Sequence, residues 1–551
     1  MKIGAYELFS TPNSENIRDL IFSAIEQNPD SFGIMDHLSS ADGPITTSVA
    51  KVKDDMVALG AIYHNLGLRQ KHIFVAGKVS SKIMISAYAA SVSGSVFIPV
   101  DIQLPLAQIL DLIVHSDAEM LIYEDCFHDL IPRLAAMPTS KVKYFFNVDA
   151  DYDSWVRDGE DIIRRGDFHS MQVELDPKEP SVILYTSGTT GKPKGVVLSH
   201  GAVAASVRNY CGQYDIDGSL LVFLPFNHIY GLLAPLIKMQ RDFDIMICSG
   251  VEKFMPELLK YQPHVTAMVP AMAKGMMTYI QAQIKRRGLW DAYEQALAVS
   301  NKLYDSGIDK RREIMFGFRT FFGGQLTAAV VASAPISREV LQFYRGMGVD
   351  LLDTYAMTEM GSISASRRFD YRDGSQGHVP ANVEVQVRNK DAHGIGDLYV
   401  RGETLFTEYY KDAALTTASF DEEGWFDTGD LGFIDEDGYL FLTGRKKNVI
   451  ILSSGENVYP EELESILVKC PAIGEIIVHE QDHQIGASIF PAYAPDDTSE
   501  QHVTIQKVIK KTIADYNEKM PLYKNITKIT FRDEPFPKTS SNKIKREYNN
   551  A

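Results

Sequence analysis

Short apolar runs alternate with longer helical patterns along most of this chain, and that alternation constrains the fold more than any other feature. The runs at 72–76, 118–123 and 181–185 are rich in Ile, Val, Leu, Phe and Tyr, and helical stretches at 14–27 and 49–66 lie before or between them. Helices threaded between strands cover both faces of a sheet, so the pattern predicts α/β architecture with largely parallel strands. With 551 residues the chain exceeds one compact core, and two or more domains are expected. The most apolar stretch, 83–100, contains Ser, Gly and Pro, so it reads as a buried helix and strand, not a membrane span.

The texture changes after about residue 380. Short runs at 383–387, 396–401, 432–434 and 439–442 are separated by turn residues, and Asp435-Glu436-Asp437-Gly438 has the composition of a hairpin turn. A β-rich module is therefore expected to close the large region. Beyond it, Pro460 followed by Glu461, Glu462 and Glu464 marks a helix start favoured by the dipole. The charged stretch Gly444-Arg445-Lys446-Lys447-Asn448 is the natural boundary. The expected division is 1–444, packed α/β subdomains plus the β-rich module, and 445–551, a small α+β domain.

The net charge of −17 opposes binding to nucleic acid or an anionic membrane. An anionic substrate would need a local cationic site and a metal ion. The four cysteines form no C-x-x-C pair, so neither a zinc site nor a disulfide framework is expected. That usage suits a reducing cytosol, and with no secretory signal at the N-terminus it predicts a cytoplasmic protein.

Residues 185–200 form a loop built for phosphate. Thr186, Ser187, Thr189 and Thr190 supply hydroxyls, Gly188 and Gly191 let the backbone approach closely, and Lys192 and Lys194 bring charge. Apolar runs lead in and out. It is not a Walker A loop, because Pro193 follows Lys192 where Ser or Thr would be required. The loop resembles the phosphate-binding signature of the adenylate-forming superfamily, which includes acyl-CoA synthetases, peptide-synthetase adenylation domains and luciferases.

Further segments resemble that family's motifs in the same order. Leu224-Pro225-Phe226-Asn227-His228-Ile229-Tyr230-Gly231 resembles the segment that borders the acyl pocket, which implies His228 and Tyr230 as pocket wall. Ser333-Ala334-Pro335 and Thr354-Tyr355-Ala356-Met357-Thr358-Glu359 resemble the two adenine-holding segments. The resemblance implies that Tyr355 stacks on the base, with Thr358 and Glu359 facing the phosphates and Mg²⁺. Ala356 and Ser333 stand where the family has Gly. Asp430 falls in a ribose-binding motif, Arg445 would reach the nucleotide, and Lys447 occupies the position about which the family pivots its small, mobile domain. Lys543 takes the place of the C-terminal catalytic lysine, with Asn542 where Gly is usual.

The implied chemistry is ATP-dependent formation of an acyl-AMP from a carboxylic acid, then transfer to a thiol. Ser454, Gly455 and Glu456 are implied as the face presented to that thiol. The stretch 269–331, with Phe316 and Gly323-Gly324, looks like the long-chain fatty acyl-CoA synthetase branch, and Gly323 and Gly324 are expected to line the acyl pocket. The expected cofactors are ATP, Mg²⁺ and coenzyme A. A separate carrier protein's phosphopantetheine is the alternative acceptor. A catalytically weakened ligand-binding homologue is the alternative of another class.

Overall fold

The structure is a computed structural model and describes residues 14–40, 43–186, 193–214, 217–332, 336–367, 370–452, 457–481, 484–493, 498–538 and 544–546. The fold is α/β, and the expected alternation builds two large sheets. The first runs, in order, through Gly361–Ala365, Asp350–Met357, Ala328–Val331, Val265–Met268, Leu220–Val222, Asp244–Ile247, Gly33–Ser40 and Gly43–Thr47. Its six inner strands are parallel, and an antiparallel strand closes each edge. The second places Val96–Pro99, His72–Ala76, Met120–Tyr123 and Tyr144–Asn147 parallel to Pro180–Thr186. The antiparallel strands Lys194–Ser199 and Glu408–Tyr409 extend it. Strands covered on both faces are apolar throughout: Val96–Pro99, Met120–Tyr123 and Ala328–Val331 are wholly buried. The helix Ser81–Val92 is buried on nearly all sides, with Lys82 its only residue outside the core, which explains its lack of a polar face.

The β-rich module is a four-stranded antiparallel sheet, Val383–Arg388, Gly396–Gly402, Phe426–Ile434 and Leu440–Arg445. Its third strand begins six residues before the expected run at 432. Polar residues hide that start from a search for apolar runs, yet Phe426, Thr428 and Asp430 alternate inward along it. The hairpin 435–438 forms as expected: Gly438 N–H donates to Asp435 at 3.1 Å, and its φ of +88° is one that glycine adopts without strain.

The C-terminal region packs Pro460–Leu467 and Ser499–Asn517 against the sheet Ile473–Gln481, Gln484–Pro491 and Ile526–Phe531. Its apolar cluster draws only on residues 450–531, so it has a core of its own. The long helix opens with a capping box, Thr498 with Gln501. No described helix is long and apolar enough to cross a membrane.

Candidate functional site

In an open parallel sheet, the loops leaving the carboxyl ends of the strands gather on one edge, where ligands bind. The register of the larger sheet fixes that edge: Leu221 is level with Thr266, and Val331 with Asp353. His228, Ala332 and Tyr355 all follow from it. His228 caps the helix Ile229–Met239, and its carbonyl accepts from Leu232 N–H at 2.9 Å. Gly231 turns so tightly that an added Cβ would lie 2.0 Å from the Pro225 carbonyl. The Tyr230 ring meets Tyr210 edge-on at 5.8 Å. Burial raises the Tyr230 hydroxyl well above its ordinary pKa.

The strand Asp350–Met357 carries the expected adenine segment to this edge. Tyr355 is 5% exposed, and its hydroxyl donates to Asp430 Oδ2 at 2.6 Å. Asp430 faces Arg445 across an antiparallel pair, and Arg445 Nε donates to Asp430 Oδ1 at 2.7 Å. Arg445 also donates to the Thr428 carbonyl at 3.2 Å, and the Thr428 hydroxyl accepts from Asp430 N–H at 3.0 Å. Three expected nucleotide residues thus form one chain, Tyr355–Asp430–Arg445, across two sheets. Ala356 and Met357 are half-buried at the end of the strand. Thr354 is turned inward: its hydroxyl accepts from Tyr214 at 2.8 Å and donates to the Ser364 carbonyl at 3.0 Å. That side chain serves the interior and does not join the edge.

Thr358 and Glu359 sit in the turn that follows, both half-buried. Glu359 Oε1 accepts from the Tyr409 hydroxyl at 2.9 Å, and the Glu359 carbonyl accepts from Phe406 N–H at 2.8 Å. Tyr409 lies in the two-residue strand paired with Lys194–Ser199, and the Lys194 ammonium stands 5.3 Å from its ring. The hairpin holding the Gly- and Thr-rich loop thereby meets Glu359. Thr186 pairs with Lys194 at the base of that hairpin; residues 187–192, with Ser187, Gly188, Thr189, Thr190, Gly191 and Lys192, lie outside the described residues. Ser333, Ala334 and Pro335 also lie outside them, directly beyond the strand Ala328–Val331.

Lys447 is exposed in the short turn Lys446–Asn448. On either side of it, Lys446 Nζ donates to Asp397 at 2.9 Å and Asn448 donates to Glu461 at 2.6 Å. Ser454, Gly455 and Glu456 fall outside the described residues, between the paired strands Ile450–Ile451 and Asn457–Val458. Lys543 does too. Its neighbour Ile544 bridges antiparallel to Lys538, whose ammonium pairs with Glu475 at 2.6 Å. Arg546 binds Glu464, whose carboxyl burial lifts to about 7.

One expectation fails. Gly323 and Gly324 do not line a pocket with His228 and Tyr355. They precede the strand Ala328–Val331 and sit at its amino end, where a Cβ on Gly323 would meet the Leu258 carbonyl at 2.7 Å. Arg319 ties this turn to the Met347 and Gly348 carbonyls, which precede the neighbouring strand. At about 3.3 Å per residue, the four-residue strand puts them on the far edge of the sheet. Phe316 lies in the same region and is 74% exposed, so it is no pocket wall either. Both glycines have φ beyond +80°, and that turn requirement accounts for them.

Two residues of this edge escaped the sequence reading. Tyr409 left no local signal, since its partner Glu359 is 50 positions away. Asp353 left one, a carboxylate directly after the apolar pair Leu351-Leu352 in a buried strand. It is buried, and burial pushes its carboxyl up to about 7, while hydrogen bonds from Gln376 and the Thr354 N–H pull it down.

The edge offers a half-buried carboxylate, Glu359, bonded to Tyr409, whose ring lies against the Lys194 ammonium. A hard oxygen ligand of this kind suits Mg²⁺ when phosphates supply most of the remaining ligands. Among the described residues no group of three or more His, Cys, Asp or Glu forms a protein-only metal cage.

A family model described as AMP-binding enzyme matches residues 22–410, and one described as AMP-binding enzyme C-terminal domain matches 447–550. The long-chain-fatty-acid–CoA ligase FadD15 of Mycobacterium bovis is 30% identical over 335 residues, 57% of this chain. The match spans about half, 55%, of that relative's length. Indoleacetate–CoA ligase of Aromatoleum aromaticum is 25% identical, with 86% of each chain covered. The fold is that of ATP-bound MatB from Rhodopseudomonas palustris, with a TM-score of 0.74, 21% identity, and 96% of this chain and 97% of that one covered.

Proposed function

The chain belongs to the AMP-binding enzyme family, and from that premise we propose that it is an AMP-forming acid–thiol ligase joining a medium- or long-chain fatty acid to coenzyme A. A carboxylate is a poor electrophile because its leaving group would be oxide. Its oxygen attacks the α-phosphorus of ATP, the bond to the β-phosphate breaks, and pyrophosphate leaves an acyl-AMP. Two anions must meet, so positioning and charge neutralisation dominate the catalysis.

Each part of the edge takes a share of that work. The loop 186–192 and Lys194 hold the phosphates. Glu359 and Thr358 would hold Mg²⁺, which when bound neutralises phosphate charge. Tyr355, with segments 333–335 and 356–357, holds adenine. Asp430 accepts from the ribose hydroxyls, and Arg445 fixes Asp430 while reaching the nucleotide. Lys543 bridges the substrate carboxylate and the α-phosphate. His228 and Tyr230 wall the acyl group. No base is needed for the first step, since a carboxylic acid is ionised near pH 7.

The C-terminal domain then turns about Lys447, withdrawing Lys543 and bringing Ser454, Gly455 and Glu456 to the edge. The thiolate attacks the acyl carbon, the bond to AMP breaks, and AMP leaves. This division of labour lets one site run two reactions.

The observation that carries the reading is the meeting of Glu359, Tyr409 and Lys194 on the edge that also presents the Tyr355–Asp430–Arg445 chain. FadD15 supports a fatty acid; the indoleacetate ligase supports an aryl acid. The test is a panel of acids with ATP and Mg²⁺, read by pyrophosphate release and then by thioester formation on coenzyme A. The fatty acids should give both products. Release without thioester would point to a carrier protein as acceptor. No release with any acid would overturn the reading.

A further inference from the structure

Behind two residues that front the candidate site lies a knot of buried hydroxyls. In the helix His200–Gln213, Ser206, Tyr210 and Gln213 recur at helical spacing and are all buried, and Tyr214 follows directly. This polar stripe lies against the edge strand Gly361–Ala365, where a Cβ on Gly361 would stand 2.2 Å from Ser206 Oγ. Polar side chains buried in this way are ordinarily hydrogen-bonded. Ser206 donates to the Ala202 carbonyl at 2.9 Å, Gln213 to the His378 carbonyl at 3.0 Å, and Tyr214 to the Thr354 hydroxyl at 2.8 Å.

Two adjoining hydroxyls are left over. Tyr210 and Ser362 are each 0% exposed, and neither hydroxyl has a partner among the described residues. Ser362 and Thr354 lie close enough to act on the Tyr210 hydroxyl, but Thr354 is committed to Tyr214 and the Ser364 carbonyl. Asn209 Nδ2 and Gln213 Oε1 on the same helix also lack partners, so this face offers more donors and acceptors than the fold uses. Burial and neighbouring hydroxyls, not a charge, set the state of Tyr210. A neutral group therefore suits the place better than a second carboxylate or an amine.

Their position ties both hydroxyls to the acyl wall. The Tyr210 ring meets Tyr230 edge-on, and Ser362 pairs with Ala356 across the antiparallel edge. Tyr230 and Ala356 are half-buried, so Tyr210 and Ser362 lie one layer behind them. We propose that the acyl chain passes between Tyr230 and Ala356 and carries a hydroxyl or oxo group that Tyr210 and Ser362 bind, which makes an oxygenated fatty acid the preferred substrate. Tyr210 donates to that oxygen, and Ser362 donates to an oxo group or accepts from a hydroxyl. The inference rests on the proposed reading of Tyr230 as acyl wall, and it names the acid more closely.

Straight-chain acids of one length, plain or with one hydroxyl or oxo group at successive carbons, test it on the full chain. The rise in melting temperature with acid alone reads binding without turnover, and pyrophosphate release with ATP and Mg²⁺ reads the reaction. At one position or more, the oxygenated acid should raise the melting temperature further than the plain one and exceed it about tenfold in kcat/KM. Tyr210→Phe and Ser362→Ala should each bring that ratio toward one. Removing an unpaired buried hydroxyl should leave the melting temperature without acid unchanged or higher, whereas a structural role would lower it. Equal binding of plain and oxygenated acids at every position overturns the proposal, as a water bridging the two hydroxyls would give. So does a preference that survives both substitutions. Release from plain acids without discrimination defeats this inference and leaves the proposed reaction standing; discrimination in binding without release does the reverse.

Discussion

The Tyr355 hydroxyl reaches Asp430 Oδ2 at 2.6 Å across 75 positions of sequence. The carboxylate is 7% exposed and has Arg445 on its other oxygen, so it is held from two sides. A buried hydrogen bond to a charged group contributes about 1.5–3 kcal/mol. Tyr355→Phe keeps the ring and removes the tie. If the tie orients Asp430 toward ribose, the KM for ATP should rise about tenfold while kcat changes less. A lower melting temperature with an unchanged KM would make the bond structural only.

Glu359→Gln keeps the shape of the Glu359 turn and removes its charge. Adenylation should slow, and the Mg²⁺ concentration for half-maximal rate should rise, with melting temperature held. Tyr409→Phe leaves the charge and removes the donor at 2.9 Å, so it should show the same trend in weaker form. Titrating Mg²⁺ against pyrophosphate release compares the two. Unchanged Mg²⁺ dependence in both variants would assign Glu359 to structure.

The two half-reactions should separate in the C-terminal domain. Lys543→Ala should cut acyl-AMP formation by orders of magnitude and affect thioester formation from supplied acyl-AMP far less. Lys447→Pro should do the reverse, because proline fixes φ near about −65° at the proposed pivot. Acyl-AMP would then accumulate on the enzyme. Lys447→Ala controls for the lost charge and should act nearly as the native chain. A stable proline variant that makes thioester at the normal rate would remove the pivot.

Asp353 gives a pH signature. Its carboxyl stands at about 7 in the folded chain against 3.8 as the ordinary value, chiefly through burial. The folded state therefore holds the proton more tightly than the unfolded one. This contribution to stability is complete below the ordinary value and is lost as pH rises through about 7. Asp353→Asn removes the dependence. The melting temperature of the native chain should fall relative to the variant between mildly acidic and mildly alkaline pH. Parallel curves would place the group in the usual carboxylate range.

The sequence carries the fold wherever hydrophobic period decides the local structure. The strand His72–Ala76 lies where its apolar run predicts, and the helix Val49–Asn65 ends one residue before the predicted stretch. Period misleads where polar residues face inward, which is why only 432–434 of the strand Phe426–Ile434 stands out in the sequence. On the site, motif order brings Tyr355, Asp430, Arg445 and Glu359 to one edge. It misplaces Gly323 and Gly324, since a glycine pair signals backbone conformation and not which end of a strand it precedes. Tyr409 lies beyond any local pattern because tertiary pairing alone brings it to Glu359.

The strand Glu408–Tyr409 is only two residues long, yet it fastens the hairpin of Pro180–Thr186 and Lys194–Ser199 to the turn bearing Glu359. Its hold on that hairpin includes the amides of Thr407, bonded to Val197 at 2.9 Å, and Tyr410, bonded to Gly195 at 2.7 Å. So short a ladder opens at far lower free energy than the sheet interior. On the proposed reading, a ligand spanning Lys194 and Glu359 would close it from both sides. The solvent exchange of those two amides would then gauge occupancy, slowing as the edge fills and recovering as it empties.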